Sequence, residues 1–229
     1  MNIAKSFTFM FEDPEWLRKL GIGFLVVLLG VLFSVVLIGL VPLIMVLGYT
    51  LDITRNVMDG RANPLPEWND WEGFLGRGLK LAGVLVVWSL PLILISIPLG
   101  FSVGFSAALA GNGSQGNFAA VMATLFSLCG ICLALAWGLA FLVFTPAIYV
   151  RLARTNRFSA GFEFAKLWAF TRENISNVIV AILLILVASV VGGFASIFVV
   201  TIPLVILWES LVQAHLYGQV GAGSVTALV

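Results

Sequence analysis

The chain has 229 residues, of which 61% are apolar and 10% charged, with a mean hydropathy of +1.10 and a net charge of +1. So few charges cannot cover the surface of a soluble domain of this size, so composition points to a polytopic helical membrane protein. The apolar runs lack the period-two alternation of a porin-like barrel, and the near-neutral balance supplies no field for nucleic acid.

Residues 3–19 open the chain as an interfacial segment. Ile3, Phe7, Met10 and Phe11 share a helical face, flanked by Lys5, Arg18 and Lys19. Asp13-Pro14-Glu15-Trp16 reads as a helix start, with aspartate as cap and proline in the first turn. The acidic residues here and the lack of a small-residue cleavage motif after the first apolar run lead us to expect an anchor rather than a cleaved signal. Gly21 to Leu51 is then apolar, about 46 Å as a helix against a hydrocarbon core of roughly 30 Å. Gly39-Leu40-Val41-Pro42 offers a break, so one kinked span or a hairpin fits.

A charged, tryptophan-bearing belt follows, from Gly48 to Lys80. Trp68, Trp71, Phe74, Leu75 and Leu79 predict an amphipathic interfacial helix over 66–78, with tryptophans at headgroup depth. Leu79 to Ala110 and Phe118 to Val150 are apolar arms around a Gly111–Asn117 turn. A third aromatic amphipathic stretch occupies 158–172. Val178 to Tyr217 is about 60 Å as a helix, twice a bilayer core, and Gly192-Gly193 is the expected turn of a hairpin there.

Charge placement selects the threading. With a single first helix, Lys5, Arg18 and Lys19 lie opposite the other nine of the twelve Lys/Arg; with hairpins at both ends all twelve share one side. The positive-inside rule favours the second. The expected fold is therefore an all-α integral membrane protein of about six helical segments in three hairpins (20–58, 79–150 and 176–217). The three interfacial helices lie near 3–19, 66–78 and 158–172, both termini inside, as one polytopic membrane domain. The first hairpin has arms of about 15 apolar residues against ~20 for a full crossing, so full and re-entrant forms both stay open. A weak internal repeat accompanies this threading. Pro14-Glu15-Trp16 matches Pro66-Glu67-Trp68, and Val41-Pro42 matches Ile202-Pro203.

At the belt, the chain resembles a family of prokaryotic integral membrane proteins known as domain of unknown function 4013. The resemblance is carried by Asp13-Pro14, Trp16, Gly48-Tyr49, Arg55-Asn56-Val57, Gly60, Leu65-Pro66-Glu67-Trp68, Asp70-Trp71 and Gly78-Leu79-Lys80, over about the first 85 residues. It implies a multi-pass membrane protein and no particular activity, so no functional residue carries over.

Glu209 lies six residues after Pro203 in the last apolar run, with Gln213 and His215 following it. An intramembrane carboxylate faces a partner or water, so these three form a candidate polar site for a proton, ion or headgroup. The competing reading is an ion pair from Glu209 to Arg151 or Arg55. Arg151, Arg154 and Arg157 form a basic cluster, a candidate contact for anionic lipid that also serves as an ordinary topology marker. Trp16, Trp68, Trp71 and Trp168 are candidate interfacial anchors. Glu67, Asp70 and Glu72 read as a solvated arc rather than an acid–base site, and Asn112-Gly113-Ser114 as a turn rather than a sequon. Cys129-Gly130-Ile131-Cys132 has metal or redox spacing but sits in an apolar span. Gly130, Ala134 and Gly138, facing Gly100, Gly104 and Ala108, are expected to pack two helices closely.

No nucleophile–base set, phosphate loop or cofactor fingerprint occurs, and we expect no cofactor, no metal and no catalytic residue. The expected function is a non-enzymatic scaffold or accessory subunit of a membrane complex. Its partners would be membrane lipids and other membrane subunits or a second copy. A small transporter or lipid-handling protein is the alternative, and an intramembrane enzyme ranks last.

Overall fold

The computed structural model describes residues 1–109 and 113–224, with the backbone alone at 103, 105–107, 109, 113–117 and 119. The fold is all-α, with no strand among the described residues. Eight α-helices follow in order: α1 (Ile3–Thr8), α2 (Trp16–Leu32), α3 (Leu40–Met58), α4 (Trp71–Leu109), α5 (Gly113–Thr155), α6 (Phe164–Glu173), α7 (Ile175–Ala195) and α8 (Ile202–Ala222). Five of them, α3, α4, α5, α7 and α8, are long and apolar enough to cross a membrane. Helix α2, at 17 residues, is about 26 Å long, short of the hydrocarbon core.

The chain forms two compact units, one of residues 1–84 and 143–229, the other of residues 85–142. In the first, α8 packs on α3, α7 and α2, and its core holds Tyr49, Ile53, Phe74, Ile148, Leu211 and Tyr217. The break in the first apolar run falls at Phe33–Gly39, just before the expected motif. Leu37 there takes a left-handed φ of 60°. A Cβ on Gly39 would strike the Gly30 carbonyl and the Phe33–Ser34 backbone, so the turn closes around a residue with no side chain. Pro42 and Pro203 both sit in the first turn of their helices, where a missing N–H leaves no intrahelical bond unmade.

Several expectations are corrected here. Gly192 and Gly193 lie inside α7, and the chain turns at Ser196–Thr201; apolar neighbours on both sides keep the helix intact through two glycines. Trp68 is not on a helix: residues 61–70 are irregular, and α4 starts at Trp71 with Asp70 Oδ1 accepting from Gly73 N at 3.1 Å. That first turn runs on into the 39 residues of α4 rather than forming a helix of its own. Asp13 does not cap α2 directly. Its Oδ1 accepts from Glu15 N at 2.8 Å, the residue just before the helix begins.

In the second unit, α4 runs through Pro91 and Pro98 without ending. Trp137 Nε1 donates to the Trp88 carbonyl at 2.9 Å, and Trp88 stacks with Trp137 and Phe141. Ser102 and Ser127 share a hydroxyl hydrogen bond of 3.0 Å, and a Cβ on Gly130 would crowd Leu99. The two helices therefore meet, but not along the expected small-residue faces, since Gly100, Gly104 and Gly138 have no neighbour within 4 Å of a Cβ. The Gly111–Asn112 part of the expected turn lies outside the described residues, and Gly113 already begins α5.

Candidate functional site

The belt folds around a stacked aromatic pair. Tyr49, on α3, lies flat on Trp68, with centroids 4.1 Å apart and planes 3° from parallel, and Phe74 packs edge-on to both. Helices α3 and α4 cross closely enough that a Cβ on Gly48 would enter the Phe74 carbonyl and one on Gly78 the Ile44 carbonyl. The Tyr49 hydroxyl donates to the Pro66 carbonyl at 3.1 Å and the Trp68 indole to the Lys19 carbonyl at 2.9 Å. Proline 66 and the tryptophan two residues on thus tie the irregular segment down through main-chain acceptors.

Two charge clusters flank this stack. In one, buried Lys19 reaches buried Asp13 at 2.7 Å, Glu67 at 3.0 Å and the Leu65 carbonyl at 3.2 Å, while Arg18 also pairs with Glu67. The hydrogen bond from Lys19, with Arg18 adding to it, holds the Glu67 carboxyl below the usual glutamate range. In the other, Arg77 bridges Asp52 at 2.8 Å and Asp70 at 2.9 Å, and its hydrogen bond lowers the Asp70 carboxyl. Between the clusters opens a polar pocket of about 410 Å³, lined by Asp52, Arg55, Asn56, Arg61, Asn63 and their neighbours through Phe74.

The residues singled out in α8 do not converge. Glu209 is half-buried against α7, its Oε1 filling the space where a Cβ on Gly192 would sit. The ion pair with Arg151 or Arg55 is not made; those guanidiniums engage Glu163 and Asp52 instead, and Glu209 has no ion-pair partner among the described residues. Gln213 donates to the Tyr217 hydroxyl at 3.1 Å. His215 is buried, stacked on Phe9 at 4.3 Å, with Nδ1 at 3.1 Å from both Ser6 Oγ and Gln219 Nε2. It serves to dock α1 onto α8, an arrangement that spacing within α8 could not reveal.

A second cavity, an apolar groove of about 540 Å³, is lined by Met10 and Phe11, by Leu17, Leu20 and Phe24 of α2, Val191 and Ala195 of α7, and Leu204, Trp208 and Leu211 of α8; Glu209 does not line it. Two of the three arginines, Arg151 and Arg154, are drawn into the protein. Arg151 is 1% exposed and meets Glu163 at 2.5 Å, so it offers no surface to a headgroup; Arg154 pairs with Asp59 across 95 residues. Arg157, the most exposed of the three, also reaches Glu163, at 3.4 Å. Burial works against ionisation of Glu163, but Arg151, Lys166 and Arg157 outweigh it and lower its pKa. Glu163 was missed in the sequence because spacing offers it only the local i,i+3 pair with Lys166, while its contact with buried Arg151 is made by the fold. Of the tryptophans, Trp71 and Trp168 are exposed and Trp16 is intermediate, while Trp68 is buried.

Cys129 and Cys132 are free and exposed, and no group of three or more His, Cys, Asp or Glu among the described residues is placed to hold a metal. Residues 31–201 match the model of a family described as "Protein of unknown function (DUF4013)". The match begins after Asp13, Pro14 and Trp16 and runs far beyond residue 85, so the likeness lies more in the helical body than in the N-terminal segment. No curated protein and no solved structure matches the chain.

Proposed function

The chain belongs to the DUF4013 family, and on that premise we propose that it is a non-enzymatic multi-pass membrane protein, a scaffold or accessory subunit of a complex in a prokaryotic cell membrane. The observation that carries this reading is the surface of residues 85–142. Leu94, Phe101, Phe118, Leu125, Leu135 and Leu139 are all more than half exposed there, and no charged residue interrupts them. Lipid solvates such a surface, and a partner helix packs on it without desolvating any charge.

The threading proposed with it has six segments in three hairpins, both termini inside, with the short α2 as the first arm. Single cysteines in a Cys129→Ser/Cys132→Ser background test it. A cysteine at Asn112 labels from outside intact cells, whereas exposed Ile3→Cys and Gly223→Cys do not; outside labelling of Ile3→Cys removes the first hairpin. The scaffold role is tested by isolation from native membranes in mild detergent, with photo-crosslinkers at Leu94 and Leu125. A stoichiometric membrane protein cross-linked at those positions supports it, and a lone chain with no crosslink overturns it. The apolar groove between α2, α7 and α8 favours a second reading, lipid handling or transport, with Glu209 as the intramembrane carboxylate next to its Gly192 wall. Loss of substrate movement in proteoliposomes with Glu209→Gln supports that role, and unchanged movement counts against it.

A further inference from the structure

The apolar groove between α2, α7 and α8 has a definite length and two unlike ends. It follows α2 from Trp16 to Phe24, about 12 Å of helix, and α8 from Leu204 to Leu211, about 11 Å. That is less than half of the roughly 30 Å hydrocarbon core and close to the depth of one leaflet. A spanning helix of a partner needs a longer seat; a lipid chain, which ends near the bilayer midplane, does not. No lining side chain is ionisable. Charge stands at one end only. Phe11 and Leu17 line the groove, and the next residue of each is charged. Glu12 meets Lys5 at 3.6 Å, and Arg18 meets Glu15 at 2.7 Å as well as Glu67. After Lys19, α2 carries no charge, and the groove's far end is bordered by Leu25 and Phe194, 55% and 71% exposed. Its lips, Leu17, Val191 and Leu204, come from three helices and are each more than half exposed, so the groove is continuous with the outward apolar surface.

We propose that this groove binds one acyl chain of a membrane phospholipid, its headgroup at the Lys5–Glu12 and Arg18–Glu15 pairs and its chain directed toward Phe24 and Leu204. The inference rests on the lipid-handling reading and names the ligand of that groove. An amphiphile matches a trough with ion pairs at one end and hydrocarbon at the other. The volume of about 540 Å³ lies in the range of small-molecule sites. Lipid tails are as apolar as the walls, so close packing, not escape from water, holds the chain. Three helices and the flexible thioether of Met10 surround it, where a flat helix face would touch it on one side.

The test is photo-crosslinking of the full chain. The protein is reconstituted with a phosphatidylcholine carrying a diazirine midway along one chain, transferred to a neutral detergent that displaces loosely held lipid, illuminated and mapped by peptide mass spectrometry. Crosslinks should fall on residues 17–24 and 204–211, with about tenfold fewer at Leu183 and Leu186, exposed apolar positions of α7 outside the groove. Gly21 lines the groove, and a Cβ there meets nothing within 4 Å, so Gly21→Phe has room to take the chain's place and should cut groove crosslinks about tenfold. Gly193→Phe, equally open but outside the groove, should leave them unchanged. The selectivity of the unaltered chain keeps the proposal testable if Gly21→Phe fails to fold. Equal crosslinking at Leu183, Leu186 and the groove overturns the site, as does indifference to Gly21→Phe in folded protein. A dimer that Gly21→Phe dissolves also overturns it, by making a second copy the occupant. The parent reading fails separately. Groove crosslinks with unchanged substrate movement in Glu209→Gln support the chain site and remove only transport; lost movement without groove crosslinks overturns the site and leaves transport standing.

Discussion

The two units are built on opposite terms. All 23 charged residues lie in residues 1–84 and 143–229; residues 85–142 contain none. The charged unit is cross-linked by pairs that join positions far apart in the chain, Lys19 to Glu67, Arg77 to Asp52, Arg154 to Asp59 and Arg151 to Glu163. Among the described residues, the contacts of the uncharged unit include an indole–carbonyl bond, a serine pair and aromatic stacking, with most of the apolar surface outward. The first specifies its own geometry; the second leaves its surface to whatever surrounds it.

The sharpest way to break this contrast is to remove one member of a buried pair. Lys19→Met should destabilise the protein by about 3–5 kcal/mol, because Asp13 stays buried without its cation. Reversible unfolding in mixed micelles, followed by Trp fluorescence, measures this. Next is a pair of glycine substitutions. Gly48→Ala forces a methyl into the Phe74 carbonyl and should cost on the order of 1–3 kcal/mol. Gly100→Ala, with open space at the same atom, should change stability by less than about 0.5 kcal/mol. The same unfolding curves read both, and equal costs would erase the distinction between the units.

Acid gives the third contrast. Glu67, Asp70 and Glu163 have folded pKa values below their ordinary ones, so their contribution is complete above the usual carboxylate range. It is lost as pH falls through that range toward the lowered values. Hydrogen exchange in nanodiscs, taken relative to the intrinsic amide rate at each pH, should therefore show less protection in the belt and around residues 157–166 at about pH 3.5 than at pH 6. Residues 85–142, with no Asp, Glu or His, should keep their protection. The smallest effect belongs to Arg157→Gln, an exposed partner of Glu163, at about 0–1 kcal/mol in the same unfolding assay.

The all-α class and the presence of membrane-length apolar helices were legible because a bilayer imposes a length on any helix that crosses it, although the sequence leads to six segments and five helices have the length and apolarity to span. The break points were less so. Pro42 marks a helix start rather than an end, and Gly192-Gly193 bends nothing, since each residue's effect depends on the turn it occupies. Trp68 misled for a related reason. Its spacing to Trp71 fits a helical face, but Pro66 and the contacts with Tyr49 and Lys19 hold it in an irregular, buried segment. The belt's importance was visible in its composition. Its pocket was not, because Asp52, Arg55, Arg61 and Glu67 border one space only once the fold has brought them together.

The contact between Glu209 and Gly192 has an evolutionary reading. The carboxyl occupies the volume that any side chain at 192 would need, so neither position can change freely while the other stays. Among related sequences a long acid at 209 should travel with glycine at 192, and a larger residue at 192 with a shorter one at 209. A lineage that lost the carboxylate would be released to fill that gap, leaving position 192 as the record of whether the acid was ever kept.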